Sequence, residues 1–308
     1  MEFILFGIGK HPALDIPLFL LFLVIYIVTM AGNILVVVLV LVDQHLHTPM
    51  YFFLENLSSL ETCYTSTIFP RMLGSLLTGN RSISIRACMV QNFIYGFLVC
   101  AECCLLSVMS YDRYLAICKP LHYAAQMNDR FCLFLAAVSW ISGLLGSTVM
   151  AVLISQLSFC GSNEIDHFIC DTCPIVKLSC SEAHQVELTT FTLAFTFTIF
   201  PFLLTLMSYI FIISTILRIP FTTGKQKAFS TCSSHLIVVT LFYGTLIFVY
   251  MLPKSQALGD LHKVFSLSDT VVTPLVNPLV YSLRNKMVKK ALRNVVGKLF
   301  LYIEIQRK

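Results

Sequence analysis

The chain has 308 residues, 57% of them hydrophobic and 12% charged, with a formal net charge of +5 and a mean hydropathy of +0.81. This balance is too apolar for a soluble globular domain and belongs in lipid. No Pro/Gly/Ser-rich linker, low-complexity tract or internal repeat breaks the apolar segments, so a single polytopic domain over residues 1–308 is expected.

In chain order, the apolar runs predict membrane-spanning helices at about Pro17–Val42, Pro49–Leu77, Ala87–Cys118, Phe131–Ile154, Val186–Leu217, Ala228–Leu252 and Val264–Leu283. Each supplies the roughly 20 residues a helix needs to cross the hydrocarbon. The first is too long, and too polar at Asn33, for the core of a signal peptide, so it reads as an uncleaved span. The second carries Glu61 and the third Glu102. A carboxylate at this depth is expensive unless it faces the bundle, and two close ones would not both ionise, so a shared proton or a bound sodium ion is expected.

The third span ends in Met-Ser-Tyr-Asp-Arg-Tyr-Leu-Ala-Ile-Cys, residues 109–118. Counting back from Arg113 by steps of three, four or seven gives Met109, Leu106, Glu102, Val99, Tyr95 and Cys88 on one helix face. Glu102 and Arg113 are then roughly 16 Å apart along the axis, so one rod carries a carboxylate in mid-membrane and a cation at its end. Pro201, Pro274 and Pro278 fall inside later spans, where missing amide protons permit kinks.

Orientation follows from the lysines and arginines. With the N-terminus extracellular and the C-terminus cytoplasmic, the inner side receives Arg113, Lys119, Arg130, Arg218, Lys225, Lys227 and the basic residues from Arg284 to Lys308. The outer segment after the fourth span is acidic instead, holding Glu164, Asp166, Asp171, Glu182 and Glu187 against Lys177. A nucleic-acid partner has little support. After Leu283 an apolar stripe of Met287, Val288, Ala291, Leu292, Val295, Val296, Leu299 and Phe300, with lysines opposite, predicts an amphipathic interfacial helix over about 285–300 on the anionic inner leaflet.

Cys88, Cys160, Cys170, Cys173 and Cys180 fall on the oxidising outer side, where pairing is expected and one is left over; spacing does not assign the pairs. His167, Cys170 and Cys173 have a spacing that suits a soft metal ion, but disulfides would consume Cys170 first, so no metal centre is expected. Asn56-Leu57-Ser58 lies within a span and is inert, whereas Asn80-Arg81-Ser82 is a glycosylation sequon in the first outer loop.

Six motifs then converge. Residues 109–118, Leu-His-Thr-Pro-Met-Tyr-Phe-Phe-Leu at 46–54, Gly32-Asn33, Ser208-Tyr209, Lys-Ala-Phe-Ser-Thr-Cys-Ser-Ser-His-Leu at 227–236 and Pro-Leu-Val-Asn-Pro-Leu-Val-Tyr-Ser-Leu-Arg-Asn at 274–285 together resemble the odorant receptors, a branch of the rhodopsin-like G protein-coupled receptors. The resemblance implies an all-α seven-helix bundle in the plasma membrane, a small-molecule ligand, and a stimulatory olfactory-type G protein that raises cyclic AMP. It also implies disulfides Cys88–Cys170 and Cys160–Cys180, a polar centre of Asn33, Glu61, Glu102 and Asn277, and a fourth-helix tryptophan at Trp140. Coupling residues would be Asp112, Arg113, Tyr114, Tyr209, Asn277, Pro278 and Tyr281, with Asp112 and the inner end of the sixth helix holding Arg113. Tyr243 stands where most rhodopsin-like receptors carry a tryptophan, and Glu61 where they carry aspartate. Met1–Leu5 resembles a stretch lying several residues inside the N-terminus of relatives, so the chain looks short at its start.

For the ligand, the outer-half residues expected to face the bundle are Tyr95, Gly96, Val99, Cys100, Cys103, Leu193, Phe197, Tyr243, Leu246, Ile247 and Tyr250. None is charged, so a neutral molecule bound by apolar burial is expected, with Tyr95, Tyr243 and Tyr250 orienting one carbonyl or alcohol. No cofactor beyond a modulating sodium ion at Glu61 and Glu102 is expected, and no constellation of catalytic residues supports an enzyme. A transporter would use similar buried carboxylates, but no inverted repeat or paired broken helices surround them. An amine receptor would want a carboxylate on the third helix near Tyr95, where none stands.

Overall fold

The structure, a computed structural model, describes residues 2–7, 14–160, 163–181, 184–218, 223–251, 259–284 and 287–294; side chains are described there except at 223–231, 234, 259–260 and 281–286. The chain forms a bundle of α1 (Asp15–Val42), α2 (Pro49–Thr78), α3 (Ile85–Cys118), a short α4 (Pro120–Gln126), α5 (Asp129–Ser155), a short α6 (Thr172–Val176), α7 (His184–Arg218), α8 (Thr223–Met251), α9 (Gly259–Leu267) and α10 (Thr273–Arg284). By length and composition alone, α1, α3, α5 and α7 can each cross a membrane. Helix α2 is long enough but spreads Glu55, Glu61 and Arg71 along its length, and in α8 the apolar run is His235–Met251.

Local chemistry sets the helix ends. Pro49 opens α2, where its missing amide proton costs nothing, and Gly79 closes it in the left-handed conformation at φ 70°. Ser84 caps α3 by accepting from the Ala87 N–H (3.2 Å), and Asn128 caps α5 by accepting from the Phe131 N–H (3.0 Å).

Two wide turns were not predicted. Residues Phe195–Ile199 within α7 and Ser268–Val272 between α9 and α10 are π-helical. Each contains the residue four before a proline, Phe197 for Pro201 and Thr270 for Pro274. A proline ring crowds that carbonyl and offers it no proton, so the helix widens by one residue there rather than breaking.

Helix α3 is the central strut, touching α2, α5, α7 and α8. Its contact with α5 is close because Gly143 has no side chain: a Cβ there would lie 2.7 Å from the Phe97 carbonyl oxygen and 2.8 Å from the Ala101 nitrogen. Both are backbone atoms that cannot rotate aside. Gly143→Ala is therefore expected to force the helices apart and destabilise the protein by about 1–3 kcal/mol, the usual cost of overpacking. Gly244→Ala, with nothing within 4 Å of the added Cβ, serves as the tolerated control. Equal thermal unfolding of the two variants in detergent would refute the close-approach argument.

The end of the bundle expected to be extracellular, here called the outer end, carries a small sheet of order β2-β1-β3, formed by β1 (Glu2–Leu5), β2 (Ser82–Ser84) and β3 (Glu164–Ile165). Strand β1 runs antiparallel to β2, with Phe3 opposite Ile83, and parallel to β3, with Leu5 opposite Ile165. Its alternation buries Phe3 and Leu5 in a second core with Ile83, Ile154, Ile165 and Ile175. At the other end of the chain, residues 287–294 are helical, with Val288 and Ala291 buried and Lys289, Lys290 and Arg293 exposed. The remainder of the expected interfacial helix lies outside the described residues.

Candidate functional site

A cavity of about 90 Å³ opens between the outer halves of the helices. Helix α3 lines it with Asn92, Tyr95, Gly96, Val99, Cys100 and Cys103, whose spacing is one helical face. Helix α5 adds Gly146, Ser147 and Met150; α7 adds Thr190, Leu193, Ala194, Phe197 and Thr198; α8 adds Leu246 and Tyr250. Asp171, the N-cap of α6, and Thr172, its first residue, complete the lining. Of the residues expected to face a ligand, Tyr95, Gly96, Val99, Cys100, Cys103, Leu193, Phe197, Leu246 and Tyr250 come together here.

Two do not line the cavity. Tyr243 lies deeper, fully buried, with its hydroxyl donating to the Cys103 carbonyl at 2.6 Å and its ring against Phe202. Its proton is spent on a backbone acceptor, so it does not orient a ligand. Ile247 is half-buried and turned away by the rotation of one residue from Leu246.

The expectation of an uncharged lining is also corrected. Asp171, 4% exposed, sits in the cavity wall. The chain brings it there because Cys170 is joined to Cys88 at the top of α3, with Cα atoms 5.4 Å apart. Polar side chains of α3 fasten the same segment: Gln91 Oε1 accepts from the Cys170 N–H (3.2 Å), and Asn92 Nδ2 donates to the Cys170 carbonyl and to Thr172 Oγ1 (both 3.1 Å). Asp171 Oδ1 accepts from the Thr172 N–H at 2.8 Å and from the Tyr250 hydroxyl at 3.0 Å. Among the described residues it has no cationic partner, since the ion pairs are Arg81–Asp15 and Lys263–Asp166. Nearby His167 is buried, and burial lowers its pKa from the ordinary value and favours the neutral ring; its Nδ1 accepts from the Ile169 N–H. The second disulfide joins Cys160 to Cys180, and Cys173 belongs to neither. The one sequence signal for Asp171 was its position next to a cysteine that could bond to α3.

Below the cavity lies a polar centre. Asn33 Nδ2 donates to Glu61 Oε2 (3.3 Å) and to the Pro274 carbonyl (3.4 Å), and the Asn277 amide donates to the other oxygen of Glu61. Glu102, 3% exposed, makes no hydrogen bond to Glu61, and the two interact through space. Among the described residues, Glu102 Oε1 and the Oδ1 atoms of Asn33 and Asn277 have no donor. Asp269, on the second π turn, is a buried carboxylate that sequence reasoning missed; it accepts from Thr245 Oγ1 at 3.1 Å. No group of three or more acidic, imidazole or thiol side chains converges on a metal position among the described residues.

At the inner end of α3, Asp112 and Arg113 interact electrostatically but form no ion pair among the described residues. Asp112 is 1% exposed and accepts from the Tyr123 hydroxyl of α4 at 2.8 Å. Burial, and then the Asp112 carboxylate, raise the Tyr123 pKa, so that proton stays in place. Arg113 also lies within electrostatic reach of Tyr123, Tyr209, Cys232 and His235. Tyr209 stacks on His235 with its hydroxyl 2.6 Å from Nδ1. Tyr114 packs on Phe211 beneath the Lys119 ammonium, and Pro278 fills the space left by Gly32. The side chain of Tyr281 lies outside the described residues. Trp140 donates to Asn56 Oδ1 at 3.0 Å, and Asn80 stands exposed with its Oδ1 accepting from the Ser82 N–H.

Comparison with known proteins agrees with this architecture. The family model described as olfactory receptor matches residues 22–299. Human olfactory receptor 6C3 is 44% identical over 98% of this chain and 97% of its own length. Human olfactory receptor 10A7 is 48% identical over 96% of the chain and 93% of its own length, and mouse olfactory receptor 8U3 is 45% identical over 99% and 96%.

Proposed function

This chain belongs to the olfactory receptor family, and from that premise we propose that it binds a small neutral odorant in its outer cavity and activates a stimulatory, olfactory-type G protein to raise cyclic AMP. It is a multi-pass membrane protein and a receptor rather than an enzyme. The whole chain acts as one receptor domain in the plasma membrane, with its N-terminus extracellular, its C-terminus cytoplasmic and Asn80 as the glycan acceptor. The observation that carries this reading is that one helix, α3, lines the cavity at its outer half and presents Arg113 at its inner end. A ligand that favours one packing of α3 against α7 and α8 biases the same helices at the inner face, which is what a differential interaction with two states requires.

Asp112, Arg113, Tyr114, Tyr209, Asn277, Pro278 and Tyr281 form the proposed coupling route. The test is a screen of volatile compounds for ligand-dependent nucleotide exchange on the G protein and cyclic AMP in cells expressing the chain. Solute transport without nucleotide exchange would replace this reading with that of a transporter.

Asn33, Glu61, Glu102 and Asn277 form the proposed ion or proton site. The buried acceptor oxygens without donors, on Asn33, Asn277 and Glu102, fit a shared proton or a sodium ion. Glu102→Gln is expected to shift basal activity and its sodium sensitivity, and Glu61→Gln to change that shift by the interaction energy of the pair. Strict additivity of the two substitutions in basal cyclic AMP would rule out the coupling.

A further inference from the structure

The polar groups of the cavity bear on which functional group the ligand carries, through the hydrogen bonds they already make. Of the polar groups facing the space, both Asn92 amide protons are given to Cys170 and Thr172, the Ser147 hydroxyl donates to the Phe93 carbonyl at 2.6 Å, and the Thr190 hydroxyl to the Val186 carbonyl at 2.7 Å. The single Tyr250 proton goes to Asp171 Oδ1 at 3.0 Å. The Tyr250 hydroxyl also lies in donor position to the Tyr95 oxygen, but at 3.5 Å that contact is weak, and with the Tyr250 proton on Asp171 the Tyr95 proton remains available.

Asp171 uses Oδ1 for both of its bonds, one to the Thr172 N–H and one to Tyr250, and Oδ2 accepts none among the described residues. The apolar part of the lining includes Val99, Leu193, Phe197 and Leu246. The cavity therefore offers one charged acceptor, Asp171 Oδ2, beside one loosely held phenolic donor, with the neutral Thr172 and Thr198 hydroxyls and Asn92 Oδ1 elsewhere in its lining.

We propose that the ligand of this cavity is a hydroxyl compound, an alcohol or phenol on a small apolar body, whose O–H donates to Asp171 Oδ2 while its oxygen accepts from Tyr95. A hydroxyl is the simple group that gives one proton and takes one. A ketone, aldehyde or ether gives the carboxylate oxygen no donor and forgoes the charge-assisted bond. An ammonium pairs with the carboxylate but cannot accept from Tyr95, and so leaves that phenolic proton unmatched. This assignment rests on the reading of the cavity as the odorant site and names the odorant's chemistry.

Its test uses matched compounds on linear, cyclic and aromatic skeletons, each prepared as the alcohol or phenol, the carbonyl, the methyl ether and the primary amine. Membranes containing the full chain are assayed for direct binding, and intact cells for cyclic AMP. Within a skeleton, the hydroxyl compound is expected to exceed the other three by roughly tenfold or more, the scale of one charge-assisted hydrogen bond. Asp171→Asn keeps a residue that caps α6 well but turns an amide N–H₂ toward the ligand in place of Oδ2, so preference should move to the carbonyl compound. The wild-type series decides the question even where that variant fails to fold.

Binding without preference for the hydroxyl, or a preference for the amine, overturns the assignment. Hydroxyl-selective binding with no G protein response keeps the assignment and defeats the signalling reading above. Absence of binding by every series to a surface-expressed chain overturns both.

Discussion

Cells that display Arg113→Ala at wild-type surface levels are expected to give almost no odorant-driven cyclic AMP. Arg113 is half-buried at the inner mouth of α3, lies within electrostatic reach of Tyr209 and His235 on α7 and α8, and has no ion-pair partner among the described residues. Its neighbour Asp112 is already engaged with Tyr123. A guanidinium held this way, against packing that shifts if α7 and α8 move, is a group whose exposure changes between two arrangements of the bundle. Removing it should lower the response by roughly a hundredfold, the scale of an allosteric coupling near 3 kcal/mol. Arg113→Lys, which keeps the charge but not the planar fork, should fall between. Odorant binding to the outer cavity should survive in both. A wild-type cyclic AMP response from a well-expressed alanine variant would remove Arg113 from the coupling route.

Cys170→Ser should have the larger effect on folding. The Cys88–Cys170 bond closes 82 residues of chain, and a cross-link of that span stabilises by about 4 kcal/mol in the chain-entropy picture. It also anchors the segment from His167 to Thr172 that roofs the cavity. Without it, the hydrogen bonds from Gln91 and Asn92 must hold that segment alone. Surface labelling is expected to fall severalfold, and the receptor that does arrive should bind odorant weakly because Asp171 is no longer placed. Cys180→Ser, which opens a separation of only 20 residues, should be milder. Equal surface expression and equal potency for Cys170→Ser and wild type would show that the noncovalent contacts suffice.

Much of this protein is legible without coordinates, and the reason is local. Apolar runs of helix length and motifs at helix ends are properties of contiguous sequence, so the rods and the α3 face running from Tyr95 to Cys103 can be read from periodicity. The same local rules explain the caps at Ser84 and Asn128 and the left-handed stop at Gly79.

What needed the folded chain is whatever depends on residues far apart in sequence. Helical spacing puts Tyr243 and Leu246 on one face of α8, yet depth in the bundle decides that Tyr243 meets the Cys103 carbonyl and Leu246 meets the cavity. Asp171 reads as one of several acidic loop residues until a disulfide and two α3 amides carry it inward. Asp269 reads as an isolated charge until the π turn before Pro274 faces it toward Thr245. The pairing of β1 with β2 and β3 joins segments roughly 80 and 160 positions away, and no local pattern in four residues selects such partners. Composition and period thus determined that the chain is a bundle of membrane helices, and close packing among distant segments alone decided where its charges stand, because a buried polar group takes whichever partner the fold brings within hydrogen-bond reach.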